Sequence, residues 1–160
     1  QNVIERLKLE ALAWNTVTSV PANDLFNAPL LRPITSATVG SFLTLPARTA
    51  AANGVTRPVS NAFDAFGADV STTTANASEL AARVRYCASY RLTWVYSNFR
   101  TMRADVRVWW TKEQPSHAIM TDFQLCADDG AALNPGGAQV NNYHIVYLST
   151  VLRPQGAGAI

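Results

Sequence analysis

Apolar and polar side chains alternate with a period of two along two neighbouring stretches, Arg83 to Tyr96 and Arg103 to Trp110, and that period predicts two long β-strands. In the second, Ala104, Val106, Val108 and Trp110 share one face, while Arg103, Asp105, Arg107 and Trp109 share the other. In the first, Val84, Tyr86, Tyr90, Leu92, Trp94 and Tyr96 lie opposite Arg83, Arg85 and Arg91. A strand pair of this kind suits an antiparallel sheet with one covered and one wet face. Tyr96 to Thr101 supplies the turn between the strands.

Elsewhere the pattern is less regular. Val3 to Val20 opens ambiguously: Ile4, Leu7, Ala11 and Leu12 fit a helical stripe, whereas Leu7, Leu9, Ala11 and Ala13 against Arg6, Lys8 and Glu10 fit a strand. The β-branched Thr16, Val17, Thr18 and Val20 favour strand for its second half. Pro21, Pro29 and Pro33 break the chain repeatedly and predict a surface loop. Thr35 to Leu45 regains strand character, and Ala47 to Ala77 is an irregular excursion with room for one or two short strands. Ser78 caps a single helical turn over Glu79 to Ala82. Ala118 to Ala127 alternates as a strand, Asp128 to Asn142 has the turn chemistry of a long loop, and Tyr143 to Leu152 forms the closing strand. Residues 1–6 and 155–160 read as flexible ends. Six or seven strands with almost no helix predict a single all-β domain over residues 1–160, an antiparallel β-sandwich or barrel.

Composition adds one constraint. Of 160 residues, 48% are hydrophobic and only 15% charged, against roughly 25% charged in an average chain. A surface so short of charge predicts cover by further copies of the chain, with a large core as the alternative source of part of the same signal. No apolar run approaches the length of a membrane span, so no membrane partner is expected.

The charges that do occur are concentrated. Seven of the thirteen Lys/Arg residues, Arg83, Arg85, Arg91, Arg100, Arg103, Arg107 and Lys112, fall in the strand pair against one acid, Asp105. Eleven of the thirteen are arginine, whose planar fork bonds phosphate with two hydrogen bonds and stacks on bases. Interleaved with them are Tyr86, Tyr90, Trp94, Tyr96, Phe99, Trp109 and Trp110, a mixture that holds single-stranded nucleic acid by neutralisation and stacking. The same residues also fit salt bridges between subunits, or an ordinary solvated face.

Other chemistry is sparse. His117 and His144 are the only histidines and no Gly-x-Ser-x-Gly elbow occurs, so no enzyme is expected. Asp128 and Asp129, with Asp122, Asn134, Asn141 and Asn142 nearby, offer oxygen ligands for calcium, although Asp-Asp-Gly and Asn-Asn are also plain turn sequences. Cys87 and Cys126 read first as two buried free thiols, with a cross-strand disulfide as the alternative.

The Arg-Thr-Met-Arg-Ala-Asp-Val-Arg-Val-Trp-Trp strand after an aromatic-rich neighbour, the long polar loops and the final Tyr-His-Ile-Val-Tyr-Leu-Ser-Thr-Val-Leu strand resemble the single jelly-roll coat proteins of small icosahedral viruses, in the size class of satellite viruses. The resemblance implies an eight-stranded jelly roll, self-assembly into a capsid, and packaging of a viral RNA or DNA genome in a virion. Basic side chains, among them Arg83, Arg85, Arg91, Arg103 and Arg107, would then face the genome or a subunit seam. The competing expectation is an extracellular oligomeric β-sandwich, lectin-like or receptor-binding, acting through its loops.

Overall fold

The computed structural model of the chain describes residues 2–14, 25, 28–35, 40–44, 62–70, 82–96, 100–112, 126, 133, 135, 137 and 140–154. It is mostly β, with a single antiparallel sheet and little helix. Among the described residues one α-helix, α1 (Asn2–Ala11), precedes five strands: β1 (Leu43–Thr44), β2 (Ala62–Phe63), β3 (Tyr86–Trp94), β4 (Met102–Thr111) and β5 (Tyr143–Leu152). The sheet order is β1-β3-β4-β5, and β2 also pairs with β3, antiparallel, through Ala62 with Cys87 and Phe63 with Tyr86. β3 therefore has β4 on one edge and two short strands on the other. Among the described residues, β5 stands at the end of the path.

The chain forms two compact units, one of Gln1–Phe42, Tyr90–Val106 and Leu148–Ile160, the other of Leu43–Ser89 and Arg107–Tyr147. In the first, good helix formers and a favourable charge order build α1, with Glu5 in its first turn and Lys8 in its last. Val3, Leu7 and Ala11 bury one stripe, each large side chain contributing roughly 1.5–3 kcal/mol. Three tighter i→i−3 bonds, from Leu12 to Leu9, Ala13 to Glu10 and Trp14 to Ala11, close the helix. They deliver Trp14 edge-on to Trp94, ring centroids 5.9 Å apart. Residues 2–6, expected as part of a loose end, are thus the first turns of a helix that buries Val3. The proline-rich segment also differs from the expected surface loop. Leu25, Ala28, Leu30, Leu31 and Ile34 are buried, and Leu30 donates its N–H to Glu10 Oε2 at 2.6 Å.

The second unit has a core of Ala62, Val70, Val84, Cys87, Trp109, Cys126, Leu133 and Tyr143, with Trp110 and Ile145 packed against it. Cys87 and Cys126 form a disulfide across 39 residues, Cα atoms 5.4 Å apart, which corrects the expectation of two free thiols. Two small thiols brought together in an apolar core read the same in sequence whether or not they join. Cys126 has a positive φ of 48° and sits in a turn, so at that position the expected strand is absent. The rest of that segment, like residues 16–20, 45–61, 71–81 and 155–160, lies outside the described residues.

Both parities are buried where β3 and β4 cross the middle of the sheet: Cys87, Ala88, Ser89 and Tyr90 on β3, and Ala104, Asp105, Val106 and Arg107 on β4. A strand with one dry face would keep one parity throughout. Both faces are covered over these central residues, and this overturns the expectation that the odd positions of the strands are wet.

Candidate nucleic-acid and subunit interface

Asp105 organises the basic surface. Its carboxylate is nearly buried and accepts from both neighbouring arginines. Arg91 of β3 donates Nε and Nη2 to Oδ2 at 3.3 and 2.9 Å, and Arg103, two residues back on the same face of β4, donates Nε to Oδ1 at 2.7 Å. From β5, Ser149 donates its hydroxyl to Oδ1 at 2.5 Å and receives Arg103 Nη2 at 3.4 Å. One carboxylate so ties together three strands. Burial alone would push the Asp105 carboxyl up, but the bonds from Ser149, Arg91 and Arg103 and the charge of Arg103 outweigh it and hold the group below the ordinary range.

Two cations and one anion leave this cluster with a net positive charge. The side chains of Arg91 and Arg103 are 37% and 53% exposed, against 5% for Asp105, so the guanidiniums face water while their orientation is fixed from below. Arg91 also lies over the Phe42 ring at 4.8 Å, a cation–π contact that limits its swing. The remaining N–H donors of two oriented forks suit a phosphate oxygen or a partner carboxylate.

The other candidates are placed differently. Arg83 is exposed but lies in a helical turn before β3, not on the strand. Arg85 is exposed and donates Nη1 to the Val84 carbonyl at 3.0 Å, and Arg100 is exposed beside the β3–β4 turn, where Val95 bonds Thr101 at 2.9 Å. Lys112 is exposed at the end of β4, its backbone N–H bonded to Asn142 at 3.0 Å. Arg107 corrects the expectation: it is fully buried, with its guanidinium 5.8 Å from the Trp109 ring, and reaches no solvent-borne ligand. Trp110 is half-buried against the core, between Tyr86, edge-on at 5.8 Å, and His144, stacked at 5.5 Å.

Asp128, Asp129 and His117 lie outside the described residues. Among the described residues no group of three or more His, Cys, Asp or Glu side chains converges on a metal position, and no helix is long and apolar enough to cross a membrane.

β5 is the other surface of interest. Its ten residues include no charge, no proline and no glycine, and Val146, Tyr147, Leu148 and Val151 are 42%, 47%, 37% and 56% exposed. Sequence reading placed the strand correctly but missed its exposure. Ser149 and Phe42 were missed as parts of the arginine cluster, although the parity of Asp105 with Arg103 was a usable signal for the acid. No family model, no curated protein and no solved structure matches this chain.

Proposed function

We propose that the chain is a structural, non-catalytic protein that assembles in many identical copies into a small icosahedral capsid and packages a nucleic-acid genome, its complete fold being the jelly-roll sandwich that the sequence resembles. The observation that carries this reading is β5: a long, uncharged strand, terminal among the described residues and with exposed apolar side chains, is a surface that would aggregate unless a neighbour covers it. Closed assembly of copies supplies that cover. The Arg91–Asp105–Arg103 cluster supports the genome-facing part, because two oriented guanidiniums bond phosphate without first being ordered.

Electron microscopy and sedimentation of the purified full chain test it. Closed particles in the megadalton range, with an ultraviolet absorbance typical of nucleoprotein, are expected; a monomer at high concentration overturns the proposal.

The Cys87–Cys126 bridge favours a second reading, an extracellular oligomeric β-sandwich binding module, because disulfides persist in oxidising surroundings. Virion surfaces share those surroundings. A trimer-sized species free of nucleic acid decides for this second reading.

A further inference from the structure

We propose that the turn carrying Phe66 on one copy docks into the groove between α1 and the end of β5 on a second copy; this rests on the assembly reading above and names one of its seams.

The turn is a held structure. Asp64 receives the Gly67 N–H at its carbonyl at 3.0 Å and donates its own N–H to the Ala68 carbonyl at 2.9 Å. Its Oδ1 accepts from the N–H groups of Phe66 and Ala68 at 2.8 and 2.9 Å. Gly67 takes φ +78°, a conformation only glycine adopts without strain. Below the turn, Phe63 bridges Asp69 and the Val70 N–H reaches the Ala62 carbonyl at 2.9 Å, with Ala62 and Val70 both buried. At the apex the Phe66 side chain is 97% exposed. A loose loop would fold such a ring back onto the protein; this turn holds it out. Rigid exposed aromatics are the anchors that dominate binding between proteins.

The groove is an open depression of about 300 Å³ lined by Lys8, Ala11, Leu12, Val151, Leu152 and Arg153. Its floor is apolar, from buried Ala11 and Leu152, and its walls are Leu12 and Val151, exposed at 52% and 56%. Lys8 and Arg153 supply positive charge at its margins. Lys8 shares its charge with Glu5 at 3.4 Å, while Arg153 makes no hydrogen bond or ion pair among the described residues. Flanking Phe66 are Asp64 and Asp69, and residues 62–70 contain no base.

An aromatic knob on a turn that carries two acids and no base therefore meets an apolar slot with a net positive margin. Pairing two Phe66 turns with each other would instead gather four carboxylates, so the complementary surface is the groove and the occupant a second copy. The two surfaces differ, so the contact is head-to-tail, and repetition gives rings or shells in place of a closed pair.

Phe66→Ala tests the knob on the full chain. The ring is 97% exposed, so thermal unfolding of dissociated protein should not change, while the concentration for half-assembly rises roughly tenfold or more. A mixture of Phe66→Cys and Leu12→Cys chains tests the seat, because both native cysteines are already joined. A cross-linked dimer in the mixture, absent from either variant alone, is the expected result. Wild-type assembly with Phe66→Ala equally competent, a Phe66→Cys chain that cross-links to itself, or no mixed cross-link overturns the docking site and leaves the assembly reading standing. A monomeric wild-type chain removes both.

Discussion

Asp105 and Ser149 stand 44 residues apart in the chain, yet the serine hydroxyl bonds the carboxylate at 2.5 Å. The acid is thereby held from β5 as well as from Arg91 and Arg103, and the positive surface depends on one negative group. Asp105→Ala should destabilise the chain by about 2 kcal/mol, the loss of charge-assisted bonds moderated by the access of both guanidiniums to water. A urea transition with an unchanged midpoint speaks against this role.

The same carboxylate gives a pH dependence. Its folded pKa lies below its unfolded value, near 3.9 for an ordinary aspartate, so the folded state binds fewer protons and the stabilisation is complete above that value. It is lost as the pH falls from about 4 through the folded pKa. Unfolding free energy measured from pH 5 downward should fall less steeply in Asp105→Asn than in the parent.

Arg103 and Arg107 share a strand and a parity but should behave differently. Arg103→Ala removes a half-exposed cation, so binding to single-stranded nucleic acid should weaken and its salt slope fall by about 1, while the lost bond to Asp105 should cost only about 1 kcal/mol of stability. Arg107→Ala should cost about 3 kcal/mol of folding through the cavity it leaves. Parallel binding isotherms and urea melts separate the two; equal effects on both readouts contradict the assignment.

Tyr90 Oη is buried without a hydrogen-bond partner among the described residues. Tyr90→Phe should therefore stabilise the chain by about 1 kcal/mol, since an unpaired buried hydroxyl is removed. Burial, aided by the charge of Glu10, also raises the phenol pKa above the ordinary tyrosine value of about 10. Stability from this group is present below that pH and falls as the pH rises beyond it, and the fall should be absent from Tyr90→Phe in alkaline urea melts.

Reduction of Cys87–Cys126 should cost about 4 kcal/mol for a loop of 39 residues on the chain-entropy account. Melting with and without reductant measures it, and coincident curves contradict a stabilising bridge.

Strand periodicity located β3, β4 and β5 because alternation is a local property, and β5 begins at Tyr143 and ends at Leu152 as the pattern indicates. Which face is wet is not local. Arg107 reads as exposed beside Arg103 only if one face stays wet along the whole strand, and the burial of both faces over residues 104–107 removes that premise. Helix α1 was half-legible, since Arg6, Lys8 and Glu10 alternate as well as a strand would; burial of Val3, Leu7 and Ala11 decides for the 3.6-residue period. The arginine cluster was legible as charge and illegible as geometry, because Ser149 and Phe42 reach it only through tertiary contacts.

The bridge from Cys87 to Cys126 encloses nearly all of β3 and the whole of β4. The hairpin is thus a covalent ring even when every hydrogen bond in it has been melted. A chain denatured without reductant keeps a tether between the root of β3 and the segment beyond β4, so its expanded state is more compact than that of the open polymer. Refolding from that ring starts with a long-range encounter already made, whereas a newly synthesised polypeptide must still find it.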